Sequence, residues 1–439
     1  MSVRLRIAVL DEELPFPANS GKRLRTMNLI TRLAKRHEIT YVSYMNGDRD
    51  EWRLARDYFQ NAGIPVDPLD DRVPEKKGVG FCFRLFANLF SSLPYSVQTH
   101  NRRALRSFVR RNTGIDRFDL WHCEWTPYAL ACLGVVKEPW LVMAHNVESL
   151  IWKRMFESER SGLRRWYIGR QYLKYDLFEK KVYSQSPQLV TVSDEDARLA
   201  ETEYGAKDVR VVDNGVDLAF FHPNPRSAEN PHVDRIAHRI LFLGSLDWRP
   251  NRDAVELLLD HVFPAIRQKV PEAELQIVGR RAPDRLRSKI VSQKGVMLFS
   301  DVPDVRPFLW NCGFMIVPLR IGGGSRLKIL EALAADCPVV STRIGAEGLR
   351  LRHERDLLLG ETPEELIDRA IQAIHDPEMI RRLGHTGHET VCREYPWDIL
   401  AEKLDTIWND MLKRPGHDRP ENATGPGRPR HQKPRVFFR

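Results

Sequence analysis

Short apolar runs of strand length recur along the chain, and most segments between them carry apolar residues at the three- and four-residue spacing of a helix face. LRIAVL at residues 5–10 is followed by a Pro/Gly/Asn loop and a helical stretch over 22–36, the opening of a βαβ unit. Runs at 39–44, 120–123, 140–144 and 189–192 predict the strands of a parallel sheet covered on both faces. Residues 148–184 are long, charged and poor in glycine, which predicts one or two helices. After 209–212 the alternation stops: 213–238 hold Asn214-Gly215, Pro223, Pro225 and Pro231 and show neither period. It restarts at Arg239 with ILFLGS, a helix over 253–269, LQIVG, a strand near 296–299, FMIVP, a helix over 326–335 and PVVST.

This pattern predicts an α/β protein of two Rossmann-like, doubly wound domains facing a central cleft. The first spans 1–212, a linker 213–238 and the second 239–397; a C-terminal helix over 398–412 can pack back on the first domain, and 413–439 form a basic disordered tail. A length of 439 residues agrees with two cores, since one core stops growing near roughly 250–300 residues. Ligands of open parallel sheets lie beyond the carboxyl ends of strands, so the loops after Leu10, Ala144, Leu243, Val278 and Pro318 are where chemistry is expected.

Composition narrows the field. With 42% hydrophobic and 29% charged residues, wholesale disorder is excluded. No run approaches the roughly 18 apolar residues of a membrane span, and the first six residues lead into a strand rather than a signal sequence, so a cytoplasmic location is expected. Six cysteines show neither CxxC pairs nor zinc spacing and read as reduced thiols. The net charge of +9 is mostly local: from Lys413 onward eight Lys/Arg face only Asp418 and Glu421, leaving about +3 for the rest. That tail reads as a solvated segment or as a loose contact with anionic lipid or polymer.

The most informative segment is FMIVPLRIGGGSRLKILEALAA, residues 314–335. A buried strand ends at Pro318, Gly322, Gly323 and Gly324 free the backbone, Ser325 is a good N-cap and a helix is expected from Arg326. Backbone N–H groups and a helix N-terminus converge there, which suits an anion. Arg326 and Lys328 have the wrong sign for a first helical turn unless something negative binds between them, and a diphosphate would remove the conflict. Glu331, one turn on, would repel phosphate but could accept the two hydroxyls of a ribose. The alternative is a capped glycine turn with a surface Glu331–Lys328 pair. Neither G-x-G-x-x-G with a later acid nor G-x-x-x-x-G-K-[ST] is present, which argues against dinucleotide oxidoreductases and P-loop NTPases.

GGGSRLKILEALAADCPVVST, with LGSLDWRPN (243–251), VVDNGVD (211–217) and the opening RIAVL…PFPANSGKRLR, resembles the group-four retaining glycosyltransferases of the two-Rossmann-domain (GT-B) fold, closest to those of bacterial exopolysaccharide clusters. The resemblance extends to about residue 412. It implies an acceptor-binding first domain, a nucleotide-sugar-binding second domain, and metal-independent transfer of a sugar from a nucleotide-diphosphate donor to a hydroxyl of a glycan or lipid-linked acceptor, with retained configuration. Glu331 matches the family's ribose-holding glutamate. The paired acid eight positions earlier is replaced by Gly323, and the family's basic residues after the first strand of the second half are replaced by Ser245 and Asn251, beside Gly244. Arg326 and Lys328 are then the phosphate binders. Gly21 matches the small residue that lets donor phosphate approach the backbone, with Lys22 and Arg23 beside it. His145, opening HNVE, matches the histidine placed over the donor sugar; alternatively it caps the following helix. Glu148 is a second polar contact or a first-turn acid.

Three features read two ways. Asp48-Arg-Asp50 and Asp194-Glu-Asp196 look like metal-holding DxD motifs or helix caps, the second with Ser193 in a capping box. Residues 76–94 mix phenylalanines with lysines and suit either a membrane surface or a packed helix. Trp248 either stacks on a ligand or packs. A sugar-nucleotide epimerase on the same fold is a rival enzyme, and nucleic-acid binding through the tail a rival of another class; no nucleic-acid partner is expected.

Overall fold

The computed structural model describes residues 4–46, 48–225, 235–321 and 326–414. The first sheet contains β1 (Arg6–Asp11), β2 (Glu38–Tyr44), β3 (Val66–Leu69), β4 (Leu120–Cys123), β5 (Trp140–Ala144), β6 (Gln188–Thr191) and β7 (Val209–Val211) in the order β3-β2-β1-β4-β5-β6-β7. The second contains β8 (Ile236–Leu243), β9 (Glu274–Gly279), β10 (Val296–Ser300), β11 (Cys312–Val317), β12 (Val339–Ser341) and β13 (Leu358–Leu359) in the order β10-β9-β8-β11-β12-β13. Every pairing is parallel. In each sheet the order reverses beside the first strand, which opens a crevice at its carboxyl end. These are two doubly wound α/β domains.

Strand pleating divides the first core. Ile7 and Val9 of β1 enter one cluster and Ala8 and Leu10 the other, so both faces need a helical cover. Part of one cover is the final helix, Trp397–Leu412, whose Trp397, Leu400, Leu404 and Trp408 are buried with Ile7 and Val9. It is fastened to the helix Gly21–Leu33 and the turn after it by Arg32–Asp398 (2.8 Å), Arg36–Asp405 (2.9 Å) and His37–Asp405 (2.9 Å).

Several boundaries differ from the sequence reading. β3 is short and interrupted by Asp67 and Pro68, and β13 is only two residues long, so neither stands out from its surroundings. Residues 148–184 form two helices, Glu148–Ser158 and Gly162–Gln185. The expected helix over 253–269 starts earlier, at Arg249 with Pro250 in its first turn, and continues through a π-helical turn at Leu258–Val262 to Lys269. Most of the tail lies outside the described residues, but Arg414 donates to Gln188 Oε1 (2.6 Å) and pairs with Asp208 (2.5 Å), so the described chain is anchored to the first domain one residue past its nominal start.

Candidate active site

A cavity of about 880 Å³ lies between the domains, lined from the first by the loop 18–22 and by His145 and Asn146, and from the second by Ser245, Trp248, Arg280, Arg326, Lys328 and Glu331, among others. On the second-domain wall the helix expected from Arg326 runs Leu327–Ala334, because Arg326 keeps an extended backbone (φ −96°, ψ 96°) and occupies the N-cap position. Gly322, Gly323, Gly324 and Ser325 lie outside the described residues. Burial pulls the Arg326 guanidinium down to about 10, with Glu347 opposing and Arg154 adding to the effect.

Lys328, in the first turn, donates to Leu243 O (2.6 Å) at the end of β8 and to Asn251 Oδ1 (3.0 Å), with its ammonium 4.9 Å from the Phe242 ring centroid. Asn251 Nδ2 in turn donates to Ser245 O (2.9 Å). The lysine therefore brings a cation to the strand end where Ser245 and Asn251 supply none. Burial, helped by Arg326, pushes its ammonium down to about 7, and burial pushes the Glu331 carboxyl up to about 7 against the pull of Lys328. Two poorly solvated groups of opposite sign thus share one helix face, where an anionic ligand would restore the lysine charge. Close approach explains two glycines: a Cβ on Gly244 would stand 2.9 Å from Lys328 Nζ, and one on Gly279 only 2.2 Å from Gly244 O.

On the first-domain wall the helix Gly21–Leu33 begins at the cavity, capped by Ser20 accepting from Arg23 N (3.3 Å). A Cβ on Gly21 would lie 3.1 Å from Leu327 of the opposite domain. Lys22 and Arg23, beside Gly21, are paired with carboxylates, and of the two Lys22 lines the cavity. Lys22 binds Asp11 (2.5 Å) and Glu12 (3.1 Å), and Arg23 binds Glu13 (2.6 Å) and Glu51 (3.0 Å). Burial works against the Lys22 charge, but Asp11 and Glu12 outweigh it and hold the ammonium above its usual range. Arg23 does not line the cavity.

His145 lines the cavity, and its Nε2 lies 2.8 Å from Glu124 O and 3.2 Å from Glu124 Oε1. It caps nothing: the following helix has Val147 at its N-cap, and Glu148 N donates to Glu179 Oε1 (2.8 Å). Glu148 does not line the cavity, and its carboxylate accepts from Trp125 Nε1 (3.3 Å). Trp248 is not packed, being 55% exposed at the mouth. Ser193 Oγ accepts from Asp196 N (3.0 Å) and Asp194 pairs with Arg350 (2.7 Å), so the second DxD is a helix cap. Asp48 precedes its helix without a side-chain capping bond. Among the described residues no group of three or more His, Cys, Asp or Glu is placed to hold a metal ion.

The sequence reading missed Asp11, Glu12, Glu124 and Arg280. Asp11 ends β1, Glu12 follows it and Glu124 follows β4, all at strand carboxyl ends, which was signal enough to single them out. Arg280, directly after β9, donates across the cleft to Asn19 O (2.9 Å), and Arg154 pairs with Glu347 (2.7 Å) over the same gap.

Residues 21–220 match Glycosyltransferase Family 4, and residues 237–376 match Glycosyl transferases group 1. The chain belongs to the group-four glycosyltransferases. This glycosyltransferase is 24% identical over 363 residues to an uncharacterized 44.6 kDa protein in the cps region of Klebsiella pneumoniae, covering 81% of this chain and 87% of that protein. It is 25% identical over 266 residues to the MMP alpha-(1->4)-mannosyltransferase of Mycolicibacterium hassiacum, covering 57% of this chain and 59% of the relative, under two thirds of its length. Its fold is shared by the sucrose-phosphate synthase of Thermosynechococcus elongatus (TM-score 0.68, 16% identity, 93% and 99% of the two chains) and by Anabaena HepE in complex with UDP and glucose (TM-score 0.63, 11% identity, 93% and 100%). The glycosyltransferase thus has the GT-B arrangement.

Proposed function

We propose that the enzyme transfers a sugar from a nucleotide-diphosphate donor to a hydroxyl of a glycan or lipid-linked acceptor, with retained configuration and without a metal ion, in the cytoplasmic assembly of an exopolysaccharide or other cell-surface polysaccharide. The observation that carries this reading is Lys328, drawn to the end of β8 by Leu243 O and Asn251, next to Arg326 and one turn before Glu331. As the glycosidic bond loosens, negative charge grows on the leaving phosphate, and Arg326 and Lys328 stabilise it with cations where a metal-dependent enzyme would use an ion. Glu331 accepts from the ribose hydroxyls. His145 faces them across the cavity and meets the sugar or the acceptor hydroxyl. With no carboxylate nucleophile assigned, the leaving phosphate takes the acceptor proton on the face it departs from. The relative in a cps region supports a place in polysaccharide assembly, and HepE, bound to UDP and glucose, supports the donor class.

No helix among the described residues is long and apolar enough to cross a membrane. Peripheral contact is part of the proposal. Val79, Phe83 and Phe86 of the helix Gly78–Asn88, with Phe90 after it, and Leu163, Trp166, Leu173 and Leu177 of Gly162–Gln185 are exposed, and Lys174 Nζ of the second helix donates to Asn88 O of the first. Residues 76–115 contain eight Lys/Arg and no Asp or Glu. An apolar face rimmed by cations suits an anionic bilayer.

A thermal-shift screen against nucleotide-sugars tests the donor class, since a ligand that binds only the folded state raises its melting temperature. Turnover of the best binder, measured with and without EDTA, tests metal independence. No shift with any nucleotide-sugar, or activity lost to EDTA and restored by Mn²⁺, refutes the corresponding part. Phe83→Glu/Leu173→Glu should release the protein from phosphatidylglycerol vesicles; equal sedimentation of variant and wild type removes the membrane contact.

A further inference from the structure

Glu124, immediately after β4, is a buried carboxylate held from three sides. Its backbone N donates to Leu10 O (2.9 Å), Oε1 accepts from Thr26 Oγ1 (2.7 Å) and Oε2 lies 2.6 Å from His122 Nε2. On its fourth side is His145. Burial alone would raise the Glu124 carboxyl, but His122 and His145 hold it well below the usual carboxylate range, so it is a charge kept out of water. A buried charge is expensive unless paired, and its retention at the back of a candidate active site asks for a role.

The bond from His145 answers it. A carbonyl oxygen can only accept, so the Nε2 that approaches Glu124 O carries the proton, and the neutral ring has Nδ1 as its acceptor. His145 lines the cavity with Nε2 turned inward, which leaves Nδ1 for the ligand. We propose that Glu124 is a positioning residue that fixes His145 as the Nε2–H tautomer, so that Nδ1 accepts a hydrogen bond from a substrate hydroxyl. The inference rests on the sugar-transfer reading and adds to it the direction of the His145 contact: acceptor, not donor.

The charged groups around this ring are few. Glu124 touches it, Lys22 and Arg25 face it from the helix Gly21–Leu33, and Arg326, Lys328 and Glu331 line the opposite wall. The charge of Lys22 is met by Asp11 and Glu12. Glu124 is therefore the anion in contact with the imidazole. Protonation of the ring puts a hydrogen on Nδ1 and ends its service as an acceptor, so turnover falls on the acid side. Removing the Glu124 charge makes that protonation harder.

The test is the pH profile of kcat for Glu124→Gln. Its acid limb should move to lower pH by about half a unit to one unit, with the donor KM changed less than about threefold, since the Glu124 main-chain carbonyl still accepts from Nε2 in the variant. A residue that only braces the fold would lower the melting temperature without moving the limb. An unmoved limb overturns the proposal. If the variant does not fold, ¹⁵N NMR of histidine-labelled wild-type protein decides: Nε2–H on His145 supports the proposal and Nδ1–H overturns it. The spectrum is read without substrate, so it stands apart from the nucleotide-sugar screen, whose failure would strike the transfer reading instead.

Discussion

Replacing Lys328 by Met keeps much of the stem packed near Phe242 while removing the ammonium. Two of the three ammonium hydrogens are taken by Leu243 O and Asn251 Oδ1, leaving one for a phosphate oxygen. A single charge-assisted bond contributes roughly 1.5–3 kcal/mol. Because burial holds the ammonium at about 7, half the free protein must first take up a proton at neutral pH, which discounts the bond by about 0.4 kcal/mol. The net loss for Lys328→Met is then about 1–2.5 kcal/mol, a rise in Kd of roughly 5- to 70-fold. Calorimetric titration with a nucleotide-sugar measures it, and unfolding without ligand reports separately any cost at Leu243 O and Asn251. The sign with pH follows from the lowered value. Above pH 7 wild type must be reprotonated in order to bind, at about 1.4 kcal/mol per pH unit, so the gap between wild type and variant is widest at pH 6 and narrows toward pH 8.5. Glu331 titrates in the same range, and without the pull of Lys328 its carboxyl rises further in the variant, so pH 6, where it is mostly neutral in both proteins, gives the cleanest comparison. Equal affinities at pH 6, or a gap that does not change with pH, would refute the placement of phosphate beside Lys328.

Glu331→Gln should weaken binding of a nucleoside diphosphate more than of inorganic diphosphate; equal losses in titration calorimetry would mean that Glu331 touches no ribose. Gly279→Ala puts a methyl 2.2 Å from Gly244 O and should cost about 1–3 kcal/mol, read as a lower melting temperature together with weaker donor binding. An unchanged melting temperature would show that the two loops have room to part.

Apolar periodicity made the two sheets legible, because the central strands β1, β4, β5, β6 and β11 are almost wholly buried runs. It could not show β3, where Asp67 and Pro68 interrupt the run, or the two-residue β13. In the site, the sequence reading reached Arg326 and Lys328, which open a helix, Glu331, one turn further along that helix, and His145, which follows a strand. What it could not show for Lys22 and Arg23 is their pairing: basic residues beside a cleft look available until the carboxylates that fold against them are seen, although Lys22 does line the cavity. Asp11-Glu12-Glu13 stands in the same opening loop and should have raised that suspicion. Glu124 was harder, because although His122 is two residues away, Thr26 on the helix after β1 and His145 after β5 reach it only once β1, β4 and β5 are paired. For Lys328, spacing from the glycine run suggested a phosphate ligand, but only the fold shows the ammonium standing in at the end of β8.

The final helix belongs to the first domain although it follows the second, so the polypeptide passes between the lobes twice. Both passages meet at one point, where Val216 N donates to Tyr395 O (3.0 Å) and Val216 bridges to Pro396, and where a side chain on Gly215 would strike the Trp397 indole at 2.7 Å. The two crossings are thus laced to each other, and either lobe expressed alone would carry a torn edge: the first without the lid over Ile7 and Val9, the second with a loose amphipathic rod.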